Sequence, residues 1–299
     1  MNVLYVNHTA EISGGERSLL ALLGALPAEV HPVVATPPGP LMEAVSGLGI
    51  ATTEIRGTAG SLRLHPLHTP LALAEMSLAA RQVHRAGARH RAEVVHANSI
   101  RAGIVIGLAR TAPAAGVVHV RDCLPPGPLT TATMRLIAAT ATTVVANSRY
   151  TASSVARAAP GARLEVVHNP VDLARFDPAR VDRAASRARL GQDAPGRLLL
   201  GVVAQLSPWR GQDTAIEALE ILCGEGVDAH LLLIGSAKFV ARATRFDNEA
   251  YVGRLQGLVA RAGLRSASSG SASAKTCPSS CARSTCCSCP PRRSPSGGR

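Results

Sequence analysis

Short apolar runs that alternate with longer amphipathic stretches restrict this chain to an α/β architecture. The runs are rich in Val and Leu, as expected for parallel strands that are buried on both faces. The stretches between them have the periodicity of helices that cover such a sheet. The predicted strands of the first part are Val3–Val6, Pro32–Ala35, Val94–Ala97, Gly116–Val120, Thr143–Ala146 and Leu164–Val167, with helices between them at Glu16–Leu26, Leu71–Arg85, Arg101–Ala112 and Tyr150–Ala158.

The alternation starts again after a charged, Ala-rich stretch. We predict an N-terminal doubly wound domain over residues 1–178, a connection with a short helix over 179–196, and a partial second domain over 197–264. The second domain has predicted strands at Leu198–Val203 and His230–Ile234 and predicted helices at Gln212–Leu222 and Glu249–Ala262. Two such domains are expected to place ligands in a cleft at the carboxyl ends of their strands.

The composition changes abruptly after residue 264. Residues 265–299 are rich in Ser, Cys, Arg and Pro, show no periodicity, and predict a disordered or frame-shifted tail. The chain has a formal net charge of +12, of which the tail carries six basic residues and no acid. The body is therefore only moderately basic, which argues against a nucleic-acid-binding protein, as does the lack of aromatic residues among the basic ones.

Two loops have the composition of anion-binding turns. Gly14 and Gly15 follow the first strand and open a helix, where glycine lets a ligand approach the backbone and free N–H groups attract negative charge. The second domain repeats this arrangement with Arg210 and Gly211 before its first helix. A cation beside a helix N-terminus suits a diphosphate, whereas the alternative for each loop is a simple tight turn.

Several segments, taken in order, resemble family four of the retaining glycosyltransferases. They are SGGERSLLALLGAL, VVHANSIRAG, VVHVRDCLP, TTVVANSRYTASSV, LEVVHNPVDLARFDP and LLLGVVAQLSPWRGQDTAIEAL, followed by HLLLIGSAKF. The resemblance covers residues 1 to about 264 and implies the GT-B fold, in which two Rossmann-like domains face a cleft. The second domain would be incomplete in this chain. The resemblance also implies transfer of a sugar, with retention, from a nucleotide-diphosphate donor to a hydroxyl of a glycan, lipid or small molecule.

The resemblance assigns donor-binding roles in the second domain. Arg210 stands where the family has a diphosphate-binding Lys, and Gln205 stands where many members have an Arg. Gly211 begins the helix, and Gly235 would approach the nucleotide from the end of the next strand. The loss of one cation at Gln205 leaves the strength of diphosphate binding open, since Arg210 can compensate with a bidentate contact.

On the acceptor side, Gly14 and Gly15 would lie against acceptor or donor phosphate. Members of the family often have a cleft-facing His at the end of the strand that here reads His119-Val120-Arg121-Asp122. His119 and Arg121 share one face by the period-two alternation of a strand, so both are catalytic candidates. A histidine with a purely structural role is the alternative, and His96 and Asn98 on the preceding strand are weaker candidates of the same kind.

A protein that binds a sugar nucleotide without turnover stays the main alternative, because the family's late glutamate pair is missing from this sequence. Back-translation of the tail with G+C-rich codons, read in a shifted frame, gives a peptide that contains VPELLRALDVLLLPSSPEPFGR. Together with VRVLGERERED, which precedes it, this peptide has a strand, an amphipathic helix, a buried strand and a Pro-Ser…Glu-Pro-Phe-Gly signature, in the order that the family's second domain requires. We therefore expect the tail to be a shifted reading of that domain.

The resemblance to the GT-B family implies no metal or other cofactor, and the sequence is consistent with this. No Asp-x-Asp cluster follows a predicted strand, and the tail cysteines, spaced CxxxCxxxxCCxC with no nearby His, do not match a common zinc site. The chain begins with a predicted strand in place of a basic, apolar leader, and no run approaches about 18 apolar residues. We expect a cytoplasmic protein, and peripheral contact with a membrane stays open.

Overall fold

The computed structural model describes residues 1–58, 68–111, 114–192, 194, 196–235, 248–270 and 283–288. The chain divides into two compact units, Met1–Arg175 and Phe176–Arg299. Each unit contains a sheet with helices packed against it, which confirms the predicted α/β class. The boundary between the units lies near the predicted end of the N-terminal domain at residue 178.

The first unit is a doubly wound parallel sheet. Its strands are β1 (Asn2–Val6), β2 (His31–Thr36), β3 (Ala51–Glu54), β4 (Val94–Ala97), β5 (Ala115–Val120), β6 (Thr143–Ala146) and β7 (Leu164–Val166). Its helices are α1 (Gly14–Leu23), α2 (Pro40–Gly47), α3 (His68–Arg89), α4 (Ile100–Ala109), α5 (Pro128–Thr140) and α6 (Arg149–Ala158). Within the described residues these strands form one seven-stranded sheet in the order β3-β2-β1-β4-β5-β6-β7. The order reverses between β1 and β4, and such a reversal leaves a ligand crevice outside the carboxyl ends of the two strands.

Strand β1 is buried on both faces because helices cover the sheet from both sides. Leu4 and Val6 pack into a large apolar cluster with side chains of α3, α4 and α5. Val3 and Tyr5 point the other way, into a smaller cluster with side chains of α1 and α2. The continuous apolar run of β1 is what a strand in this position requires.

The second unit is a smaller mixed sheet. Its strands are β8 (Leu198–Val203), β9 (Ala229–Ile234), β10 (Arg265–Gly270) and β11 (Arg283–Ser288), and its helices are α7 (Arg183–Arg189), α8 (Gln212–Gly224) and α9 (Asn248–Arg261). Strands β8 and β9 are parallel, as predicted, and they share a core with α8 and α9. The described strands lie in the order β10-β11-β9-β8.

The structure differs from the sequence-based expectation in part of the tail. Strand β11 pairs antiparallel with β9, and β10 pairs antiparallel with β11, so the structure places two segments of the tail in the second sheet. The free edge of β9 offers backbone N–H and C=O groups that another strand can pair with whatever its side chains are. The rest of the tail lies outside the described residues, and the shifted reading frame stays a prediction.

Candidate functional site

Three polar residues meet where β1, β4 and β5 end. Asn7 follows β1, Asn98 follows β4 and Arg121 follows β5, and both asparagines are almost completely buried. The Asn98 amide donates to Asn7 Oδ1 at 2.9 Å and to the Gly15 carbonyl at 3.3 Å. Its backbone N–H donates to the Val6 carbonyl at 2.9 Å. Asn98 therefore ties the ends of β1 and β4 to the first turn of α1.

The guanidinium of Arg121 is fixed by the same asparagine. Arg121 Nη1 donates to the Asn98 backbone carbonyl at 2.5 Å and to Asn98 Oδ1 at 2.8 Å. Burial lowers the pKa of Arg121 to about 10, while the carboxylates of Glu16 and Asp122 oppose that shift. The side chain therefore keeps its positive charge at neutral pH.

The glycine pair forms the first turn of α1, next to Arg121. A methyl group on Gly15 would lie 3.9 Å from Arg121 Cδ and Nη1, and one on Gly14 would meet nothing within 4 Å. The carboxylate of Glu16 caps the helix by accepting from the Ser13 backbone N–H at 3.1 Å and from the Ser13 hydroxyl at 2.5 Å. The structure thus brings Gly15 and Arg121 together, and it leaves open space at Gly14.

His119 and His96 lie beneath this edge, in the sheet. Their ring centroids are 6.0 Å apart, and the ring of His96 is 5.2 Å from that of Tyr5. Burial and then the charge of Arg121 lower the pKa of His96 to about 4, and the same causes together with His96 lower the pKa of His119 to about 3. Both rings are therefore neutral at pH 7. Such weakly basic imidazoles are poor proton acceptors, so any part that His119 plays is through hydrogen bonding.

A further polar group, which the sequence analysis did not single out, lies beside the same edge. Ser99 caps α4 by accepting from the Ala102 N–H at 3.2 Å, and its hydroxyl lies 2.9 Å from His8 Nδ1. Arg101 donates to the Thr58 carbonyl at 3.1 Å. Burial lowers the pKa of His8 to about 4, an effect that Arg101 reinforces and Glu16 opposes.

In the second unit, the predicted donor residues lie on the two loops that follow β8 and β9. Gly235 has a φ of +156°, and a methyl group there would lie 1.9 Å from the carbonyl oxygen of Ala204. Only glycine fits at this position, because the backbones of the two loops touch. Gln205 is the next residue along the first loop, so the structure brings Gly235 and Gln205 together.

The loop after β8 ends in a turn that leads into α8. The Arg210 N–H donates to the Ser207 carbonyl at 3.1 Å, and Gly211 occupies the N-cap of α8 with a φ of +75°. Arg210 is exposed, and its guanidinium lies 4.3 Å from the centroid of the Trp209 ring. The arrangement presents a cation and the first turn of a helix at the carboxyl end of β8, a combination that suits an anionic group.

Comparison with known proteins identifies the family. The sequence pattern of Glycosyltransferase Family 4 matches residues 12–175, more than half of the chain. The chain belongs to glycosyltransferase family 4. The match includes the glycine pair, Asn98 and Arg121, and it ends where the first unit ends.

Curated relatives match over a shorter range. The D-inositol 3-phosphate glycosyltransferase of Mycolicibacterium gilvum (strain PYR-GCK) is 37% identical over 91 residues, which is 30% of this chain and 19% of that protein. The enzyme of the same name from Mycolicibacterium vanbaalenii is 39% identical over 74 residues, 25% of this chain and 15% of that protein. The chain therefore aligns with less than a fifth of the length of either curated relative.

Solved glycosyltransferase structures share the fold. Anabaena HepE in complex with UDP superposes with a TM-score of 0.66 at 23% identity, over 88% of this chain and 66% of that one. A glycosyltransferase from Rickettsia africae superposes with a TM-score of 0.62 at 17% identity, over 88% of this chain and 65% of that one. The likeness confirms the predicted GT-B fold class.

The described residues contain neither a candidate membrane-spanning helix nor a candidate metal site. Among the described helices, none combines the length and hydropathy that a membrane-spanning segment needs. The described His, Cys, Asp and Glu side chains do not form a group of three or more that can hold a metal ion.

We predict that His96 makes the protein less stable as the pH falls. Its folded pKa of about 4 lies below the ordinary value of 6.5, so the unfolded chain takes up the proton first. The stabilising contribution is complete above pH 6.5 and is lost as the pH falls toward 4. For wild type this single group should cost roughly 2 kcal/mol of unfolding free energy between pH 7 and pH 5.

Urea unfolding of wild type and His96→Gln at pH 8, 7, 6 and 5 measures this contribution. The difference in unfolding free energy between the two proteins should be constant at pH 8 and 7, which provides the internal control. It should then change in favour of the variant below pH 6.5. Parallel pH profiles over the whole range would show that His96 does not titrate as its burial predicts.

Proposed function

We propose that this protein binds a nucleotide-diphosphate sugar, with UDP as the nucleotide, and transfers the sugar to an acceptor hydroxyl with retention of configuration. Family membership supports the reaction class. One relative by fold supports the nucleotide, since Anabaena HepE has been crystallised with UDP and with UDP-glucose. The donor residues proposed for this chain are Gln205, Arg210, Gly211 and Gly235.

The observation that carries the proposal is the contact between Gly235, directly after β9, and the backbone of the loop after β8. Gly235 has no space for a side chain because the Ala204 carbonyl occupies it, so bare backbone is present at the ends of two adjacent parallel strands. Arg210 lies in the loop after β8, and this loop leads directly into the first turn of α8. A charged hydrogen bond from Arg210 and N–H groups from α8 supply what a diphosphate requires.

The acceptor is assigned to the first unit, at the edge formed by Gly14, Gly15 and Arg121. The curated relatives act on D-inositol 3-phosphate, an acceptor with both hydroxyl and phosphate groups. In this chain the Arg121 guanidinium is held in place by Asn98, and the open space at Gly14 lets a ligand approach the start of α1. These groups suit a polyhydroxylated acceptor, whether it is a glycan, a lipid or a small molecule.

The chemistry places negative charge on the leaving diphosphate as the bond to the sugar breaks. Arg210 and the N-terminus of α8 can stabilise that charge, because a guanidinium and the free N–H groups of a helix N-terminus are both positive. His119 is neutral and weakly basic, so its proposed part is a hydrogen bond to a substrate hydroxyl. We propose that transfer needs no metal ion.

Transfer is tested by incubating the protein with UDP-sugars and candidate acceptors and following the anomeric proton of the product by NMR. We expect a product with the donor's anomeric configuration, formed equally well in the presence of EDTA. A product of inverted configuration would contradict the proposed reaction. Binding of UDP without any transfer would favour the alternative of a nucleotide-sugar-binding protein without turnover. The described part of the second sheet fits that alternative, because β9 pairs with the antiparallel strand β11 and not with the further parallel strand that a doubly wound domain would have.

We predict that Arg210→Ala weakens UDP binding, since it removes the charged hydrogen bond to the diphosphate. The loss should be about 1.5–3 kcal/mol, measured by calorimetric titration. Arg261→Ala is the matched control, because Arg261 is an exposed arginine at the end of α9 in the same unit. Equal affinities of the Arg210 variant and wild type would exclude Arg210 from the donor site.

We predict that Gly15→Val abolishes transfer while the first unit stays folded. A Cβ on Gly15 makes only ordinary contact with Arg121, at 3.9 Å, so the fold tolerates it, and we expect the larger valine side chain to displace an acceptor bound at this turn. Displacing an acceptor by about 1 Å costs on the order of a hundredfold in rate. Gly47→Val is the control, since a side chain there meets nothing within 4 Å. Full activity of the Gly15 variant, with unchanged circular dichroism, would show that the glycine pair is only a turn and has no role in acceptor binding.

A further inference from the structure

Helix α9 reaches the first turn of α8 through one tyrosine. Tyr251 is buried, and its hydroxyl lies 3.2 Å from Gln212 Oε1 and 3.3 Å from Asp213 Oδ1. Gln212 and Asp213 are the first two residues of α8 and directly follow its N-cap. The Tyr251 hydroxyl therefore fixes the first turn of α8, whose backbone N–H groups have no partners within the helix.

Gln212 passes this constraint on to the loop after β8. Its side chain is completely buried, and its amide Nε2 donates to the Gln205 carbonyl at 2.9 Å. One side chain thus accepts from Tyr251 and donates to the loop backbone. The resulting relay runs from Tyr251 through Gln212 to Gln205, and it crosses the base of the loop that carries Arg210.

The Tyr251 hydroxyl is well suited to act as a fixed hydrogen-bond donor. Burial raises the pKa of Tyr251, so the hydroxyl stays protonated throughout the neutral range. The ring packs in the apolar core of the second unit with Leu255 and Ile216, and Arg254 lies 5.0 Å from its centroid. A phenylalanine would keep the packing and lose only the hydroxyl.

We propose that Tyr251 is a positioning residue for nucleotide binding, acting through Gln212 to hold the Gln205–Gly211 loop and the first turn of α8 in their binding geometry. The proposal rests on the proposed function, since it takes that loop as the diphosphate site. Tyr251 itself does not touch the nucleotide in this scheme. Its effect is to reduce the ordering that binding would otherwise require.

The test is a double-mutant cycle in the full chain, with UDP affinity measured by calorimetry. Tyr251→Phe should weaken binding by about three- to tenfold, the range expected for one neutral hydrogen bond. Gln212→Met should weaken it at least as much, because it breaks both contacts of the relay. The double variant should lose less affinity than the sum of the two single losses, since residues in one network are not additive.

Tyr150→Phe is the matched control, because Tyr150 is exposed and lies in the other unit. Its UDP affinity should equal that of wild type. In transfer assays Tyr251→Phe should raise KM for the donor more than it lowers kcat. Unchanged UDP affinity in Tyr251→Phe, or additive losses in the double variant, would overturn the positioning role.

Hydrogen exchange of the free protein separates this inference from the donor assignment. Peptides that cover residues 204–212 should exchange faster in Tyr251→Phe than in wild type without any nucleotide. If exchange accelerates but wild type does not bind UDP, the relay stands as a loop constraint, while the donor assignment and the role in nucleotide binding both fail. If UDP binds but neither exchange nor affinity changes in the variant, only the inference about Tyr251 fails.

Discussion

The amide of Asn98 joins chain segments that are far apart in sequence. A parallel sheet brings the ends of β1, β4 and β5 to one edge, but it does not fix the side chains that follow them. Asn98 does so because an amide can donate and accept at once. It donates to Asn7 and to the Gly15 carbonyl, and it accepts from Arg121. The positions of Arg121 and of the first turn of α1 both depend on this one buried side chain.

The second unit uses an amide in the same way. Gln212 accepts from Tyr251 and donates to the Gln205 carbonyl, so it fixes a loop at the carboxyl end of β8. Asn98 and Gln212 are both almost completely buried, and a buried amide is costly unless its groups are satisfied. The cost is offset here by hydrogen bonds to the Gly15 and Gln205 backbone carbonyls and to neighbouring side chains. The loops on either unit are thereby held without large side chains in the space that a ligand needs.

Much of the fold follows from local sequence patterns, and the exceptions have physical causes. Strands β1, β4, β5 and β6 are short, apolar and buried, so their composition predicts them. Strand β3 is partly exposed and contains two threonines and a glutamate, which hides its strand pattern. Helix α5 contains four threonines and buries only Thr133, Met134 and Ile137, so its apolar stripe is weak. Tertiary packing, not local preference, selects these two elements.

The site divides in the same way between local and long-range information. Glycine and arginine at strand ends mark Gly15 and Arg210 as candidates from the residues alone, whereas Arg121 and Gly235 become candidates through the resemblance to the family. The contact between Asn7 and Asn98 joins residues that are 91 positions apart, and no local pattern reports it. The relay through Tyr251 depends in addition on how α9 packs against α8.

The electrostatics of the candidate site favour the handling of phosphate over proton transfer. His8, His96 and His119 are all held neutral at pH 7, because burial and neighbouring arginines oppose their protonation. Arg121 keeps its charge even though burial lowers its pKa to about 10. Positive charge in the first unit is thus kept on Arg121 and excluded from the imidazoles beneath the sheet edge. Such a division suits the binding of an anionic group at this edge, since a fixed cation attracts it and a neutral imidazole does not.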